Sequence, residues 1–484
     1  MAPPSDDKHD CAWREYAGDL TARLVDLEAK LSVLQRALFG KKSEKGKKMP
    51  PVKKPPRSPE AADKERRDRA AARDAAIETV VEPTPVPEAD KVCTLCDGTD
   101  FRPVGEGKSC DILEYVQPHF RRRRLVRETL ACRCGGYVVT APAPPRWSTK
   151  TRYASSFVAY LCLSKCRGAL PFYRMEGLSN CVDVPIARST MNDLFHRAGE
   201  KLRRLDAPLF QAIREDFLVL ADETSFKLTS QDSKAFMWTF LGASLTGYRF
   251  ALTRGGDVPS DALKDSKGVL VCDDYRGYDP LCARNHRRRC GCLAHARRKF
   301  FDAGNGPDAT LALDLIGFIY AVEHEAERRD VLGTDEHAAL RRTFSRPAFA
   351  ALLRLARRLR ESHAPKTLLG RAARYFYRNR RQLAVFLDDV RIPPDNNRSE
   401  NAMRIVALGR KNFLFVQSLE AGKNLAILYS LVGSCERAGK NPIAYLTDVL
   451  DRIDSTADDG LRDLLPDRWT PPPKPARPVD FQIE

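Results

Sequence analysis

Two apolar runs that each end in acidic residues constrain this chain more than any other feature. "DFLVLADETSF" begins at Asp216 and "GVLVCDDYRGY" at Gly268. Short continuous apolar runs bounded by polar residues read as strands buried on both faces. A buried strand fixes the position of the residue that leaves it, so Asp222 and Asp273 can face one point. The intervening "FMWTFLGASL" and "YRFALTR", separated by "TSQDSKA" and "TG", predict an antiparallel meander. The expectation is a sheet that delivers carboxylates at its exits.

A third acid stands far along the chain. In "PPDNNRSENAMRIVALGRKNF", residues 393–413, Glu400 sits among Arg398, Arg404, Arg410 and Lys411. Locally, Asn397 followed three residues later by Glu400 predicts a helix start, with Arg404 as an ordinary partner one turn on. Chemically, three carboxylates around one point repel one another unless a divalent cation neutralises them. Oxygen donors of this kind suit Mg²⁺ or Mn²⁺. Two such ions about 4 Å apart can activate a water or a 3′-hydroxyl for in-line attack on a phosphodiester. The surrounding Arg and Lys would then hold phosphate. At this level Glu223, Asp274 and Asp395 remain rivals for the three positions.

Charge points to the same kind of partner. The 484 residues carry a net charge of +17, which favours nucleic acid or another polyanion. Residues 41–58, "KKSEKGKKMPPVKKPPRS", hold eight Lys or Arg against one Glu, within a basic, Pro-rich linker expected over 41–90. No run approaches the roughly 18 apolar residues of a membrane span, and no signal-peptide pattern opens the chain. A cytoplasmic, nucleoid-associated protein is the expectation.

Before the linker, Leu20, Leu24, Leu27, Leu31, Leu34 and Leu38 alternate spacings of four and three. This is the seam of a short coiled coil over 13–40, and it predicts a homo-oligomer. After the linker, Cys93 and Cys96 precede Cys132 and Cys134 with 35 residues between the pairs. Four thiolates in two close pairs suit a closed tetrahedral Zn²⁺ site, which can hold a small unit over 91–147 with little core. The single residue between Cys132 and Cys134 makes a tight spacer, and Cys110 is a possible substitute. A second cluster, His286, Cys290, Cys292 and His295, reads chiefly as core. Residues 150–212 read as helical, with a helix opening at Arg188 that predicts a helix-turn-helix-like DNA-binding region. The stretch 304–388 is Leu-, Ala- and Arg-rich and helical, and 422–470 reads as two more helices.

In this order, "LADET", "CDDYRGYDPL", "GCLAHARRKFFDA", "PPDNNRSENAMRIVALGRKNFLF" and "ILYSLVGSCERAGKNPIAYLTDVL" resemble a bacterial DDE transposase of the insertion-sequence-66 family. The resemblance runs from about residue 20 to 470. It implies a multidomain α+β chain whose catalytic core, 213–421, is ribonuclease H-like with a helical insertion at 304–388. It assigns Asp222, Asp273 and Glu400 as the catalytic and metal-holding triad, choosing Asp273 over Asp274 by the pattern D-x-Y-x-x-Y. It also implies a zinc domain at the cysteine pairs and DNA as partner, both element ends and target, with accessory proteins encoded by the same element. Arg188, Arg404, Arg410 and Lys411 are the candidates for DNA contact. The activity implied is metal-dependent DNA cleavage and strand transfer. The alternatives are a catalytically inactive DNA-binding relic or regulator, and a nuclease that does not join strands.

Overall fold

A computed structural model describes residues 63–64, 67–68, 71, 120, 129–131, 138–140, 146–149 and 151–472, apart from 183, 230–232, 285–286 and 305. The expected coiled coil, most of the linker and the cysteines at 93, 96, 110, 132 and 134 lie outside the described residues. Within the linker, residues 63–64, 67–68 and 71 are helical.

In the unit Val116–Glu484 a two-stranded antiparallel pair comes first, β1 (Thr129–Ala131) with β2 (Val138–Thr140). Four helices follow: α1 (Ser155–Cys166), α2 (Phe172–Asn180), α3 (Arg188–Leu202) and α4 (Asp206–Glu215). The predicted meander then appears as β3 (Leu218–Leu228), β4 (Ser233–Leu241) and β5 (Thr246–Ala251). After α5 (Asp257–Leu263), β6 (Gly268–Cys272) joins β3 in parallel. After α6 (Asp279–Arg284), β7 (Arg287–Gly291) joins β6 in parallel, so the five-stranded order is β5-β4-β3-β6-β7. Helix α7 (Leu293–Asp302) leads into α8 (Pro307–Arg328), α9 (Asp335–Leu340), α10 (Arg346–Ser362), α11 (Leu368–Arg378) and α12 (Arg380–Leu383). The chain closes with α13 (Asn397–Phe413), α14 (Leu419–Arg437) and α15 (Pro442–Arg452). The architecture is a mixed α/β one, as the α+β expectation required.

Side-chain alternation along the strands divides the sheet into two faces. On one face Leu220, Leu241, Val269, Val271 and Cys290 pack against apolar residues of α7, α8, α10 and α11. On the other, Val219, Ala221, Phe240, Leu270 and Cys272 belong to the larger core, with Phe210, Leu263, Tyr278 and Leu281. That core also contains the buried sides of α1, α3, α13, α14 and α15. The helices of 155–202 therefore share one hydrophobic core with the sheet. Helix α3 approaches α14 so closely that a Cβ at Gly199 would lie 2.7 Å from Asn424 Cβ.

The free edge of the sheet, β5, is covered by α14. Buried Ser430 and Ser434 accept the N–H bonds of Tyr248 (2.8 Å) and Thr246 (2.9 Å). Two serines inside a helix thus satisfy an edge that would otherwise be open to pairing with another chain. Strand β7 was not foreseen, because "RRRCG" carries no apolar period. Arg287 is nonetheless 1% exposed. Its guanidinium donates to the carbonyls of Val269, Arg214 and Asp216 and to Ser266 Oγ. Among the described residues no helix is long and apolar enough to cross a membrane.

Candidate active site

The parallel pairing of β3 and β6 sets Leu218 opposite Val269, Val219 opposite Leu270 and Leu220 opposite Val271. Continuing that register by two residues brings Asp222 level with Asp273. Alternation puts Asp222 on the face of Leu220 and Val271, the face covered by the helices after β7, and Asp273 is the first residue past β6. The backbone N–H of Tyr275 donates to Asp273 Oδ1 at 3.0 Å. Arg289, from β7, donates to the carbonyls of Asp273 and Tyr275. The exit of β6 is braced from both sides.

Glu400 stands in the first turn of α13. The start of this helix is tied to both neighbouring elements. Asn396 Nδ2 donates to the carbonyl of Ala221, next to Asp222, at 2.8 Å. The Asn396 N–H points at Cys292 Sγ (3.3 Å), and the Leu293 N–H donates to the Pro394 carbonyl (2.9 Å). The predicted helix start was placed one residue late. Asn396 holds the cap position without a side-chain capping bond, and its carbonyl accepts from Ser399 and Glu400. Asn397 is the first helical residue, and its side chain donates to Asp395 Oδ2 (2.7 Å). Glu400 does not pair with Arg404. Its ionisable neighbour is His295, whose Nδ1 lies 3.6 Å from Glu400 Oε1.

The three rival acids are engaged elsewhere. Glu223 points to the opposite face, accepting from Tyr278 Oη (2.6 Å) and from Arg254 Nε (3.0 Å). Asp274 pairs with Arg378. Asp395 is buried and accepts both the N–H and the side-chain amide of Asn397.

Burial raises the Asp222 carboxyl to about 7, with the charge of Glu223 next and those of Glu400 and Asp273 adding to it. The charges of Glu400 and Asp273 thus both bear on Asp222. A buried carboxyl that resists ionisation at Asp222, together with a buried His295 nitrogen that no hydrogen bond satisfies, fits a divalent cation.

The sequence names His295 only within the cluster of His286, Cys290 and Cys292 and does not connect it with Glu400. Cys292, His295 and Glu400 offer ligand atoms all within 4.8 Å of one another. Cys292 is wholly buried at the start of α7 and Cys290 lies in the hydrophobic core, as expected of core cysteines, while His286 is outside the described residues. The signal for His295 was the three-residue spacing in "CLAH", which puts Cys292 and His295 on one turn of a helix start.

Among the four candidate DNA contacts, Arg188 is exposed at the first residue of α3. Arg404 and Lys411 are exposed on α13 and make no ion pair among the described residues. Arg410 is half-buried, and its Nη1 donates to Thr224 Oγ1 (2.9 Å) and the Ser225 carbonyl (2.5 Å), which ties α13 to β3. A further basic surface was missed. Lys299, Arg360, Arg371 and Arg378, with Tyr375 and Tyr377, line an open cleft of about 720 Å³ between α7, α10 and α11. The Arg378–Asp274 pair connects it to the residue after Asp273.

Comparison with known proteins gives three family matches. The family model described as transposase IS66 family matches residues 150–424, and that of the IS66 C-terminal element matches 430–466. The zinc-finger binding domain of transposase IS66 matches residues 90–135. Two uncharacterized proteins of Sinorhizobium fredii (strain NBRC 101917 / NGR234) are similar along most of their length. The protein y4jD is 30% identical over 404 residues, covering 78% of each chain. The protein y4qI is 30% identical over 451 residues, covering 88% of this chain and 79% of its own.

Proposed function

Because this chain belongs to the IS66 transposase family, we propose that it is a DDE-type DNA transposase that cleaves the ends of its element and joins the freed 3′-hydroxyls to target DNA. The observation that carries this reading is the meeting of the middle of β3, the exit of β6 and one helix start. Asp222 lies on β3, Asp273 directly follows the adjacent parallel strand β6, and the helix of Glu400 is bonded to the carbonyl beside Asp222. This supports a ribonuclease H-like core over 213–421, with 304–388 as an insertion covering one face of its sheet.

Asp222, Asp273 and Glu400 would hold Mg²⁺ or Mn²⁺. Bound there, divalent ions supply a nucleophile at neutral pH and offset the charge that develops on the leaving oxygen. The protein holds the three carboxylates at fixed positions and keeps Glu223, Asp274 and Asp395 out of the site by pairing each elsewhere. In the first step water displaces the 3′-oxygen at the element end, breaking one P–O bond and leaving a 3′-hydroxyl. In the second, that hydroxyl displaces a target 3′-oxygen, so one phosphodiester forms as another breaks.

Arg188, Arg404 and Lys411 are the proposed phosphate contacts, together with the basic cleft of α7, α10 and α11. Phosphate contacts of this kind make binding fall steeply with salt. Zn²⁺ on Cys93, Cys96, Cys132 and Cys134 would fold the unit over 91–147 that, with 150–212, binds the element ends. The coiled coil over 13–40 would pair protomers, 422–470 would complete the core, and the complex would act at the nucleoid with accessory proteins of the same element.

The test uses purified full-length protein and labelled DNA carrying the inverted ends that flank its gene. Wild type is expected to give metal-dependent cleaved and joined products, and Glu400→Gln to bind the DNA without cutting it. Equal cleavage by both proteins would remove Glu400 from the site. Cleavage without joining would make the protein a nuclease.

A further inference from the structure

Resting on the metal site proposed above, we propose that His295 is a ligand of the ion held by Glu400, which makes this end of the centre a mixed oxygen–nitrogen site with preference for Mn²⁺ over Mg²⁺. His295 Nδ1 and Glu400 Oε1 are 3.6 Å apart. That is beyond hydrogen-bond range. Two donors about 2.1 Å from a shared ion stand about 3 Å apart at right angles and about 3.5 Å apart at the tetrahedral angle. The observed spacing is slightly wider than the right-angled value, so a small approach of the two side chains would let them share one six-coordinate ion.

The burial of the nitrogen supports the same assignment. His295 Nδ1 is inaccessible and has no hydrogen-bond partner, an arrangement that buried polar atoms rarely keep without a role. The two side chains are also brought together deliberately. Each sits in the first turn of its helix, and those two helix starts are bonded to each other through Leu293 to Pro394 and Asn396 to Cys292. Cys292 Sγ lies within 4.8 Å of both ligand atoms and faces the Asn396 N–H, and the assignment gives it a positioning role through that contact. Imidazole is a donor for transition metals, whereas Mg²⁺ takes oxygen. A nitrogen in the set therefore selects between the two ions.

The experiment uses the full chain as purified, with its zinc retained. Mn²⁺ is titrated and the free ion followed by electron paramagnetic resonance, and Mg²⁺ affinity is obtained by competition. His295→Gln is expected to lower Mn²⁺ affinity on the order of 10-fold or more, the scale on which metal sites answer to changes around their ligands, and to leave Mg²⁺ affinity nearly unchanged. Pulsed spectra of bound Mn²⁺ should carry an imidazole nitrogen coupling in wild type that is absent in His295→Gln and kept in Cys292→Ser. Equal losses for both ions, or no nitrogen coupling in wild type, would overturn the assignment; the wild-type spectrum requires no variant to fold. If Asp222→Asn leaves Mn²⁺ binding intact, the carboxylate site itself is wrong, a failure distinguishable from that of His295 alone.

Discussion

The bond from Asn396 to strand β3 is the most direct test of how this site is assembled. Asn396 is 1% exposed, and its amide Nδ2 donates to the Ala221 carbonyl at 2.8 Å. Asn396→Ala removes the donor and leaves a buried acceptor, a loss of about 1–3 kcal/mol. The Asn396 Oδ1, itself buried without a partner, disappears in the same change and offsets part of that loss. Asn396→Asp is nearly isosteric and should be worse near pH 8. It sets an acceptor against an acceptor and adds a buried charge beside Asp222, Asp273 and Glu400, where an uncompensated charge costs about 3–5 kcal/mol. The two variants also separate by pH. Once protonated, the carboxyl introduced by Asn396→Asp again has a hydrogen to donate, so its pKa is raised in the folded state. Its stability contribution is then present at low pH and lost as pH rises through the raised value. Urea unfolding followed by circular dichroism at pH 5 and pH 8 reads both effects. The reasoning is refuted if Asn396→Asp matches the wild type at pH 8, or if Asn396→Ala and Asn396→Asp fall together at both pH values.

The same geometry makes three further predictions. Asp222, raised to about 7 by burial and its acidic neighbours, holds its proton more tightly folded than unfolded; in metal-free protein that proton's stabilisation is full below about pH 4 and lost as pH rises through about 7. Calorimetry in buffers of different ionisation enthalpy should therefore detect a proton released on Mg²⁺ binding below about pH 7 and none well above it, and pH-independent release would sink the assignment. Glu223→Gln should weaken the tie to Arg254 and Tyr278 and lower thermal stability while Mn²⁺ affinity persists, whereas Asp222→Asn, Asp273→Asn and Glu400→Gln should each abolish cleavage. Arg404→Ala and Lys411→Ala should each flatten the salt dependence of DNA binding by about one contact; Arg410→Ala should instead destabilise the fold by about 1–3 kcal/mol, measured by urea unfolding.

Much of the core was legible because its strands are apolar runs. The sequence places β3, β4, β5 and β6 and the exit of β6 at Asp273, but not the length of β3, which runs past Asp222 to Leu228, so that acid stands mid-strand rather than at an exit. The helices of 304–388 were legible from their composition. Strand β7 was not. Its Arg287 and Arg289 face inward because carbonyls at Arg214, Asp216, Val269, Asp273 and Tyr275 accept from them. Those acceptors are distant in sequence, and no local pattern encodes them. The closeness of His295 to Glu400 was hidden for the same reason, since that carboxylate lies 105 residues away.

The helix start of α13 explains why this carboxylate is free to act. A reciprocal cap at Asn397 and Glu400 would have committed the Glu400 carboxylate to its own backbone. Three consecutive residues divide that work differently. Asp395 receives the Asn397 N–H and amide, Asn396 closes the first turn through its carbonyl, and the Asn396 side chain is directed to β3. Among the described residues no hydrogen bond reaches the Glu400 carboxylate, whose charge instead bears on Asp222. Left without a cation, such a carboxylate raises the free energy of its neighbours' ionised forms. A divalent ion removes that strain, as a proton on Asp222 does at low pH, whereas the nearby Arg residues of α13 do not, because each either points to solvent, as Arg404 does, or is bonded to the strand, as Arg410 is.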